Sequence, residues 1–265
     1  MSATLKQYTE TSTASYQSGN AEAAKALAQH LVADVSWLSV DTTTSDTSSS
    51  FDQLLAVSWD SNTKLRIYND SSYYYIEVRY KGSAVESSSS YYPKASIYSV
   101  GSTYTTQIVY GTNFLFVGRM AGGSQDATFS CFVGEVENYY DDHKATAYTS
   151  GLTNTNDYMW FWTADVKTGY TRSSSIVSAF PTPYTNWGAA GHLYGAVPQV
   201  IRYTGNSAIP IIGFVGGTDT LYRLYDNGNN MSVPVYDAVS IGGHSFFTVF
   251  YASTSTPTPY AFRIS

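Results

Sequence analysis

The side chains that could support metal binding or acid-base catalysis are few and scattered along the sequence. The four histidines, at positions 30, 143, 192 and 244, are too far apart for any standard metal-ligand spacing. One dense polar cluster, at residues 141–144 (Asp-Asp-His-Lys), offers carboxylate and imidazole groups. Consecutive residues point in different directions, however, and rarely converge on one ion. We therefore interpret this cluster as a solvated turn and predict no metal site.

Other signatures of catalysis are equally weak. Cys131 lies beside Phe132 in an apolar strand pattern, which is typical of a buried thiol rather than a nucleophile. Glu135 and Glu137 lie two residues apart, but every alternating strand offers such pairs, so they are no specific sign of glycoside hydrolysis. The glycines at 213, 216 and 217 precede another strand pattern, and a phosphate-binding loop requires a helix there. We expect no catalytic residue, no enzyme activity and no cofactor.

Aromatic residues carry more information than the polar ones. The 25 Tyr and five Trp exceed what one core of this size needs. Trp160 and Trp162 share one face of a predicted strand, and Tyr184 and Trp187 lie in a long Gly- and Pro-rich loop. Tyr and Trp combine an apolar ring with a hydrogen-bonding group, which suits wet protein interfaces and sugar-stacking platforms. We predict that these four residues contact either other protein subunits or carbohydrate.

One stretch of the sequence predicts a helix, from Asn20 to about Val32. Ala24, Leu27, Ala28 and Leu31 follow the spacing of a single apolar stripe. Asn20 is the expected N-cap, Glu22 is expected in the first turn, and His30 is expected near the last carbonyls, where a cation suits the helix dipole. The stripe is narrow and consists of small residues, so the helix should lie flat against a sheet or a neighbouring subunit.

The remaining elements are predicted strands. Residues 54–59, 64–68 and 73–80 are separated by short turns rich in Asn, Asp and Ser, which predicts an antiparallel meander. Further strands are predicted along the rest of the chain, which makes about a dozen strands in all. This pattern indicates an all-β fold, mainly an antiparallel β-sandwich or a barrel-like form, with one short N-terminal α-helix. The further positions are 97–100, 105–110, 114–120, 128–136, 158–162, 200–203, 209–215, 221–225, 233–239 and 246–251.

We expect residues 1–34 to form an N-terminal arm and helix and residues 35–265 to form a β-rich domain, with a possible internal boundary near 181–198. Residues 2–19 are polar and without an obvious pattern. They are therefore expected to reach onto a neighbouring subunit, and deleting residues 2–32 is expected to leave a folded β domain that fails to assemble.

The composition excludes several partners. Charged residues make up 13% of the chain, against about 25% in ordinary globular proteins. The net charge is -6 and no basic run exists, so nucleic-acid binding is not expected. The longest apolar runs are far shorter than the ~20 residues that cross a bilayer, so no membrane insertion is expected. The 36 Ser and 30 Thr supply neutral hydrogen-bonding groups that suit closely packed subunits.

Several segments together resemble structural proteins of tailed bacteriophages, of the tail, baseplate and fibre type. They are a helix ending in HLVADVSWLSV, the meander LLAVSWDSNTKLRIYNDSSYYYIEV, the aromatic strands IVYGTNFLFVG and the C-terminal IGGHSFFTVFY and YAFRIS. The resemblance implies a non-enzymatic virion subunit, assembled in the host cytoplasm with other virion proteins, as a homo-oligomer. The alternative is a lectin-like, carbohydrate-binding or host-receptor-binding module that contacts a host surface glycan and takes part in host attachment.

Overall fold

The computed structural model of the protein describes residues 3–84, 92–121, 129–136, 145–152, 157–162, 167–171, 206–210, 221–226, 229–230, 237–251 and 259–265. This part of the chain contains one helix, α1 (Tyr16–Asp34), and 19 strands. The strands are β1 (Thr4–Thr11), β2 (Leu38–Asp46), β3 (Phe51–Val57), β4 (Thr63–Asn69), β5 (Tyr74–Tyr80), β6 (Ser83–Ala84), β7 (Lys94–Ala95), β8 (Thr103–Tyr110), β9 (Phe114–Ala121), β10 (Phe129–Val136), β11 (Ala145–Leu152), β12 (Asp157–Trp162), β13 (Lys167–Thr171), β14 (Asn206–Pro210), β15 (Leu221–Asp226), β16 (Asn229–Asn230), β17 (Ala238–Ile241), β18 (His244–Tyr251) and β19 (Pro259–Arg263).

The strands form three antiparallel sheets. The meander sheet has the order β2-β3-β4-β5-β6, with β7 on β5, and the seven-stranded sheet has the order β1-β8-β9-β10-β11-β12-β13. The C-terminal sheet has the order β14-β15-β19-β18-β17, with β16 on β15. The all-β prediction and the predicted meander are confirmed, but the sheets are open, so the barrel-like alternative is wrong.

Helix α1 packs on the meander sheet, with its most extensive contact on β4. The predicted apolar stripe is confirmed, because Ala24, Leu27, Ala28 and Leu31 are all buried. The same buried cluster includes Leu65 of β4 and also Ile108 of β8 and Val117 of β9. One core therefore joins the helix, the meander sheet and the seven-stranded sheet.

The opposite face of the seven-stranded sheet packs on the C-terminal sheet. Phe114 stacks on Phe262 with a centroid distance of 5.4 Å, and Phe116 lies 5.6 Å from the same ring. All three rings are buried. The seven-stranded sheet is thus covered on both faces at β8 and β9, which accounts for the apolar run of residues 114–117.

The N-terminal segment differs from its prediction. Residues 4–11 were expected to belong to a polar arm without pattern, but they form β1, which pairs with β8 in continuous antiparallel register. The apolar-polar alternation that marks most strands is weak here because only Leu5 and Tyr8 are apolar. Pairing with β8 supplies the backbone hydrogen bonds that decide the conformation. The division of domains at residue 34 and the boundary near 181–198 stay predictions.

Three further predictions at the helix are wrong. Helix α1 begins four residues earlier than expected, after Ser15, so Asn20 is not its N-cap and Glu22 is not in its first turn. Glu22 instead accepts hydrogen bonds from the backbone N–H (3.1 Å) and the hydroxyl (2.9 Å) of Thr13. His30 does not interact with the last carbonyls, because its Nε2 lies 3.0 Å from a carboxylate oxygen of Glu10 on β1.

Candidate protein interface

A loop between the meander and the seven-stranded sheet, residues 96–102, is held against the start of α1 by backbone hydrogen bonds. The N–H of Tyr16 donates to the carbonyl of Ile97 at 2.7 Å. Further along the loop, the N–H of Gly101 donates to the carbonyl of Ser12 at 2.9 Å, and the hydroxyl of Ser12 donates to the carbonyl of Ser99 at 2.9 Å. These bonds replace the strand that the sequence predicted at 97–100, and that prediction is wrong.

Two buried contacts fix the loop further. Asn20 is fully buried, and its Oδ1 accepts the N–H of Ile97 at 2.8 Å. Gly19 permits the close approach, because a Cβ at this position would lie 2.6 Å from Cγ2 of Ile97 and 2.7 Å from the carbonyl oxygen of Ala14. The loop and the first turns of α1 therefore form one rigid unit.

This unit presents apolar side chains to solvent. The described residues include four large hydrophobic side chains that are well exposed, and three of them lie here: Tyr16 (64%), Tyr98 (51%) and Val100 (64%). We call these three residues the pinned apolar patch. The fourth, Val40 (50%), lies on the edge strand β2. Exposed apolar residues that occur singly need no explanation, but a group on a fixed backbone is typical of an interaction surface.

The three residues of the pinned apolar patch lie in two stretches of sequence that contain no charged residue. Residues 11–21 and residues 95–118 contain no Asp, Glu, Lys or Arg. Depletion of charge together with enrichment of tyrosine is the compositional signature of the centre of a protein interface. The patch therefore matches a neutral protein surface better than a polyanion or an acidic ligand.

Tyr16 occupies its position at a conformational cost. Its φ is 50°, in the left-handed region that a bulky residue rarely adopts. Strain of this kind costs on the order of 1–3 kcal/mol and persists where the surroundings over-determine the backbone. The bond from its N–H to Ile97 is one such constraint. The side chain of Tyr16 is consequently held outward at the start of the helix.

A second cluster joins β1 to α1. The hydroxyl of Tyr8 donates to a carboxylate oxygen of Asp34 at 2.6 Å, and its ring stacks on His30 at 3.6 Å between centroids. This hydrogen bond to Asp34, together with burial, raises the pKa of Tyr8 to about 12. Burial also raises the pKa of Tyr104, with further contributions from the charge of Glu10. The cluster links the first strand to the helix through one interface of mixed aromatic and charged groups.

The outer face of the meander sheet carries a charged ladder. Arg66 donates to both carboxylate oxygens of Asp52 at 2.8 and 2.6 Å, and it lies 3.6 Å from Glu77, which also accepts from Arg79 at 2.7 Å. Glu77 is only 3% exposed, and a buried charge is costly unless it is paired. The guanidinium groups of Arg66 and Arg79 balance its charge. The Arg66 hydrogen bonds to Asp52 raise the pKa of its guanidinium, which stays fully charged. These charges are compensated within the chain.

Tyrosine rings continue this ladder. Tyr68 stacks on Tyr75 at 4.8 Å, with the guanidinium of Arg66 lying 4.3 Å from the Tyr68 ring. Lys94 lies 4.7 Å above the ring of Tyr73. Burial raises the pKa of both Tyr68 and Tyr75. Since stacking partners or cations occupy these rings, the cluster does not form an open platform for a sugar.

Asp70 lies in the turn before β5, next to this group of tyrosines, and accepts several hydrogen bonds. Burial opposes its charge, but hydrogen bonds from the Tyr75 hydroxyl and from the backbone N–H groups of Tyr73 and Ser72 outweigh it and lower the pKa of this carboxyl. A carboxylate that is the acceptor of three such bonds is a structural anchor of the turn.

Within the described residues, none of the predicted aromatic contact residues joins the pinned apolar patch. Trp160 and Trp162 occupy β12, opposite Tyr148 and Thr146 of β11, between β11 and β13. Tyr184, Trp187 and the polar cluster at 141–144 lie outside the described residues. In the described part of the chain, no group of three or more His, Cys, Asp and Glu side chains could hold a metal ion.

Sequence reasoning missed the pinned apolar patch because its three members are not adjacent in sequence. Tyr98 and Val100 were placed in a strand, where one would expect cross-strand partners. The available signal was the absence of charge in residues 11–21 and 95–118, but low charge is general in this chain.

Comparison with known proteins adds no family to these observations. No protein-family model matches the sequence, and no curated protein is significantly similar to it. The described residues also include no helix with the length and apolarity needed to span a membrane. Any assignment of function therefore depends on the geometry of the chain and on its resemblance in sequence style.

Proposed function

We propose that the protein is a non-enzymatic structural subunit of a tailed-bacteriophage virion, in the tail, baseplate or fibre apparatus, and that it acts through protein-protein assembly. The observation that carries the assembly role is the pinned apolar patch, three exposed large hydrophobic side chains in stretches of sequence without charged residues, on a backbone held by hydrogen bonds. The bacteriophage setting is supported by the sequence resemblance alone.

The physical argument concerns the balance between ordering and burial. A subunit that joins a large particle loses conformational freedom at each interface, and a preorganised surface lowers that cost. The patch is already ordered by the bonds of Ser12, Tyr16 and Asn20 to the loop. Burying exposed apolar side chains of this size then contributes roughly 25 cal/mol for each Å² removed from water.

The test of the virion role uses purified particles. Tailed particles prepared from a host that produces this chain should contain it by mass spectrometry, and antibody labelling in the electron microscope should place it on the tail, baseplate or fibres. Particles that lack the chain after gradient purification would contradict the proposal.

The test of the patch uses the double variant Tyr98→Ser and Val100→Ser, with Val40→Ser as a matched control. Both side chains of the pair are more than half exposed, so stability should change by about 0.5 kcal/mol or less. Incorporation into particles should fall at least about tenfold for the pair, because two interface anchors are lost. It should stay near the wild-type level for Val40→Ser, an equally exposed residue outside the patch. Equal incorporation of all three proteins would remove the patch from the interface.

The carbohydrate-binding alternative depends on Tyr184 and Trp187, which lie outside the described residues. A glycan array probed with the intact chain tests it directly. Specific binding that is lost in Trp187→Ala would replace assembly by recognition as the primary role.

A further inference from the structure

Among the described residues, no strand pairs with the outer edge of β1 in the seven-stranded sheet. The strand has eight residues, and five of them are exposed. Its register with β8 has no bulge from Thr4 to Thr11. A long, regular edge of this kind presents a row of unpaired N–H and C=O groups that can pair with another chain.

The direction of the backbone groups follows from the bonds at each end. Ser12 bonds inward, because its N–H donates to the carbonyl of Ser102 at 3.0 Å. Ala3 bonds outward, because its N–H donates to the carbonyl of Arg263 at 2.7 Å. Directions alternate along a strand of an antiparallel pair. The odd-numbered residues 5, 7, 9 and 11 therefore direct their N–H and C=O groups away from β8. Apart from Ala3, no outward backbone bond is found for this strand within the described residues.

The sequence of β1 is self-complementary about Tyr8. In an antiparallel pair centred on this residue, Lys6 of one copy lies directly opposite Glu10 of the other, and the reverse holds across the axis. Gln7 and Thr9 then form hydrogen-bonded pairs, as do Leu5 and Thr11, which are the residues whose backbone groups point outward. Tyr8, Lys6 and Glu10 fall at the non-hydrogen-bonded positions, where cross-strand side chains are closest.

We propose that β1 pairs antiparallel with β1 of a second copy of this chain, around a two-fold axis at Tyr8, so that two seven-stranded sheets become one continuous sheet. This inference rests on the proposed assembly function and names its first partner. Eight main-chain hydrogen bonds would form over residues 5–11, and the two Lys6–Glu10 pairs select this register over its neighbours. A two-fold interface requires a self-complementary surface, because the same residues meet from both subunits.

The available charges support a second copy rather than an unrelated strand. Lys6 is exposed, and the described residues provide no ion pair for it. Glu10 lies 3.0 Å from His30 but keeps 26% of its side chain exposed. A shift of the pairing by two residues would place Lys6 opposite an uncharged residue and would lose both charge pairs.

The decisive experiment is sedimentation velocity of the full chain over a range of concentrations, using complementary charge variants. Lys6→Glu places two carboxylates opposite each other across the axis, and Glu10→Lys places two ammonium groups there. Each variant alone should raise the dimer dissociation constant at least about tenfold. An equimolar mixture of the two should restore a dimer, because each chain then supplies the charge that the other lacks.

A second pair of variants tests the backbone directly and does not depend on Glu10. Thr9→Pro removes an outward N–H that β8 does not use, so the fold should be retained, whereas Thr9→Ala keeps this donor. Dimerisation should be lost with proline and kept with alanine, with circular dichroism confirming that both are folded. A wild-type chain that stays monomeric at all concentrations, or a dimer unaffected by both Lys6→Glu and Thr9→Pro, would overturn the inference.

The outcomes separate this inference from the proposed function. Particles that incorporate Lys6→Glu as well as the wild type, together with a monomeric chain in solution, would refute the β1 pairing and leave the virion role in place. A chain that dimerises through β1 but is absent from purified particles would refute the virion role and leave the pairing in place.

Discussion

Strands β1 and β2 are both polar, exposed edge strands of nearly equal length, yet their backbones differ. The register of β1 with β8 is continuous, whereas the register of β2 with β3 shifts twice, between Val40 and Thr42 and between Thr43 and Ser45. Bulges twist an edge and interrupt its row of hydrogen-bonding groups, which discourages pairing with another chain. The two edges show that composition alone does not decide whether an exposed strand is protected.

The charged residues of the two edge strands also differ in whether they form ion pairs within the chain. On β2, Asp41 accepts a hydrogen bond from Lys64 at 2.7 Å, which lowers the pKa of this carboxyl, and Asp46 accepts from Lys25 at 2.7 Å. Both acidic residues of β2 are thus paired within the chain. On β1, Lys6 extends from an open edge without such a pair among the described residues. The difference indicates a closed edge at β2 and an edge available for assembly at β1.

The largest expected effect comes from deleting residues 2–32, which removes β1 and most of α1. The sequence predicted that a folded β domain would remain. In the structure, the deletion exposes the hydrogen-bonding edge of β8 and removes the buried helix side chains from the core that joins two sheets. Since one Leu→Ala change in a core costs about 2–5 kcal/mol, loss of the whole helix should prevent folding. A cooperative thermal transition in the truncated chain, followed by circular dichroism, would contradict this expectation.

A smaller effect is expected from making β2 resemble β1. Deleting Asp41, the extra residue of the first bulge, aligns Val40 and Thr42 with consecutive partners on β3 and removes the ion pair with Lys64. With only the second bulge left, the edge should associate more readily with other chains, with self-association increasing about tenfold in sedimentation equilibrium. Asp41→Ala is the matched control, since it removes the charge and keeps the bulge. Equal association of the two variants would attribute the protection to charge rather than to backbone shape.

The smallest effect concerns the attachment of β1 to α1. Tyr8→Phe keeps the ring that stacks on His30 but removes the hydrogen bond to Asp34, and should lower the free energy of unfolding by about 1 kcal/mol at neutral pH. The folded-state pKa of Tyr8 is raised to about 12. The stabilisation that the Tyr8–Asp34 hydrogen bond gives the folded state is therefore fully present below about pH 10, the usual pKa of tyrosine. This stabilisation is lost as the pH rises towards 12.

The measurement for Tyr8→Phe is the difference in unfolding free energy from wild type, by urea titration between pH 7 and 11.5. The difference should shrink at the alkaline end, because the wild type loses what the variant already lacks. Tyr16→Phe, at a residue 64% exposed, is the control and should show no difference at any pH. A constant difference across the range would exclude the Tyr8–Asp34 bond as its source.

Local sequence patterns predicted the meander and the buried stripe of the helix, but not the residue at which the helix begins. The alternation of Leu65 and Ile67 with charged residues survives in the structure because one face of that sheet packs on α1 and the other meets solvent or charge. The turn at residues 241–244 is local in the same way, because Gly242 and Gly243 adopt φ values of 59° and 80°, which favour glycine. Such features depend on residues close together in the chain.

Features that depend on distant segments were not predicted. Strand β1 exists because β8, about one hundred residues further along, provides its hydrogen bonds. The loop at 96–102 leaves the strand conformation because Asn20 and Tyr16 bond to Ile97, and the position of Asn20 within the helix follows from that buried bond. Neither contact leaves a periodic signal in the sequence.

The sequence by itself determined an antiparallel β protein with one N-terminal helix, because apolar periodicity and turn residues act over a few neighbours. Its scarcity of charge further led to the prediction that nucleic acid is not a partner, since few phosphates could be matched. Only the tertiary structure decided which polar edge stays open and which apolar side chains remain exposed. Both properties result from pairing between segments far apart in the chain, where register and burial depend on the whole fold.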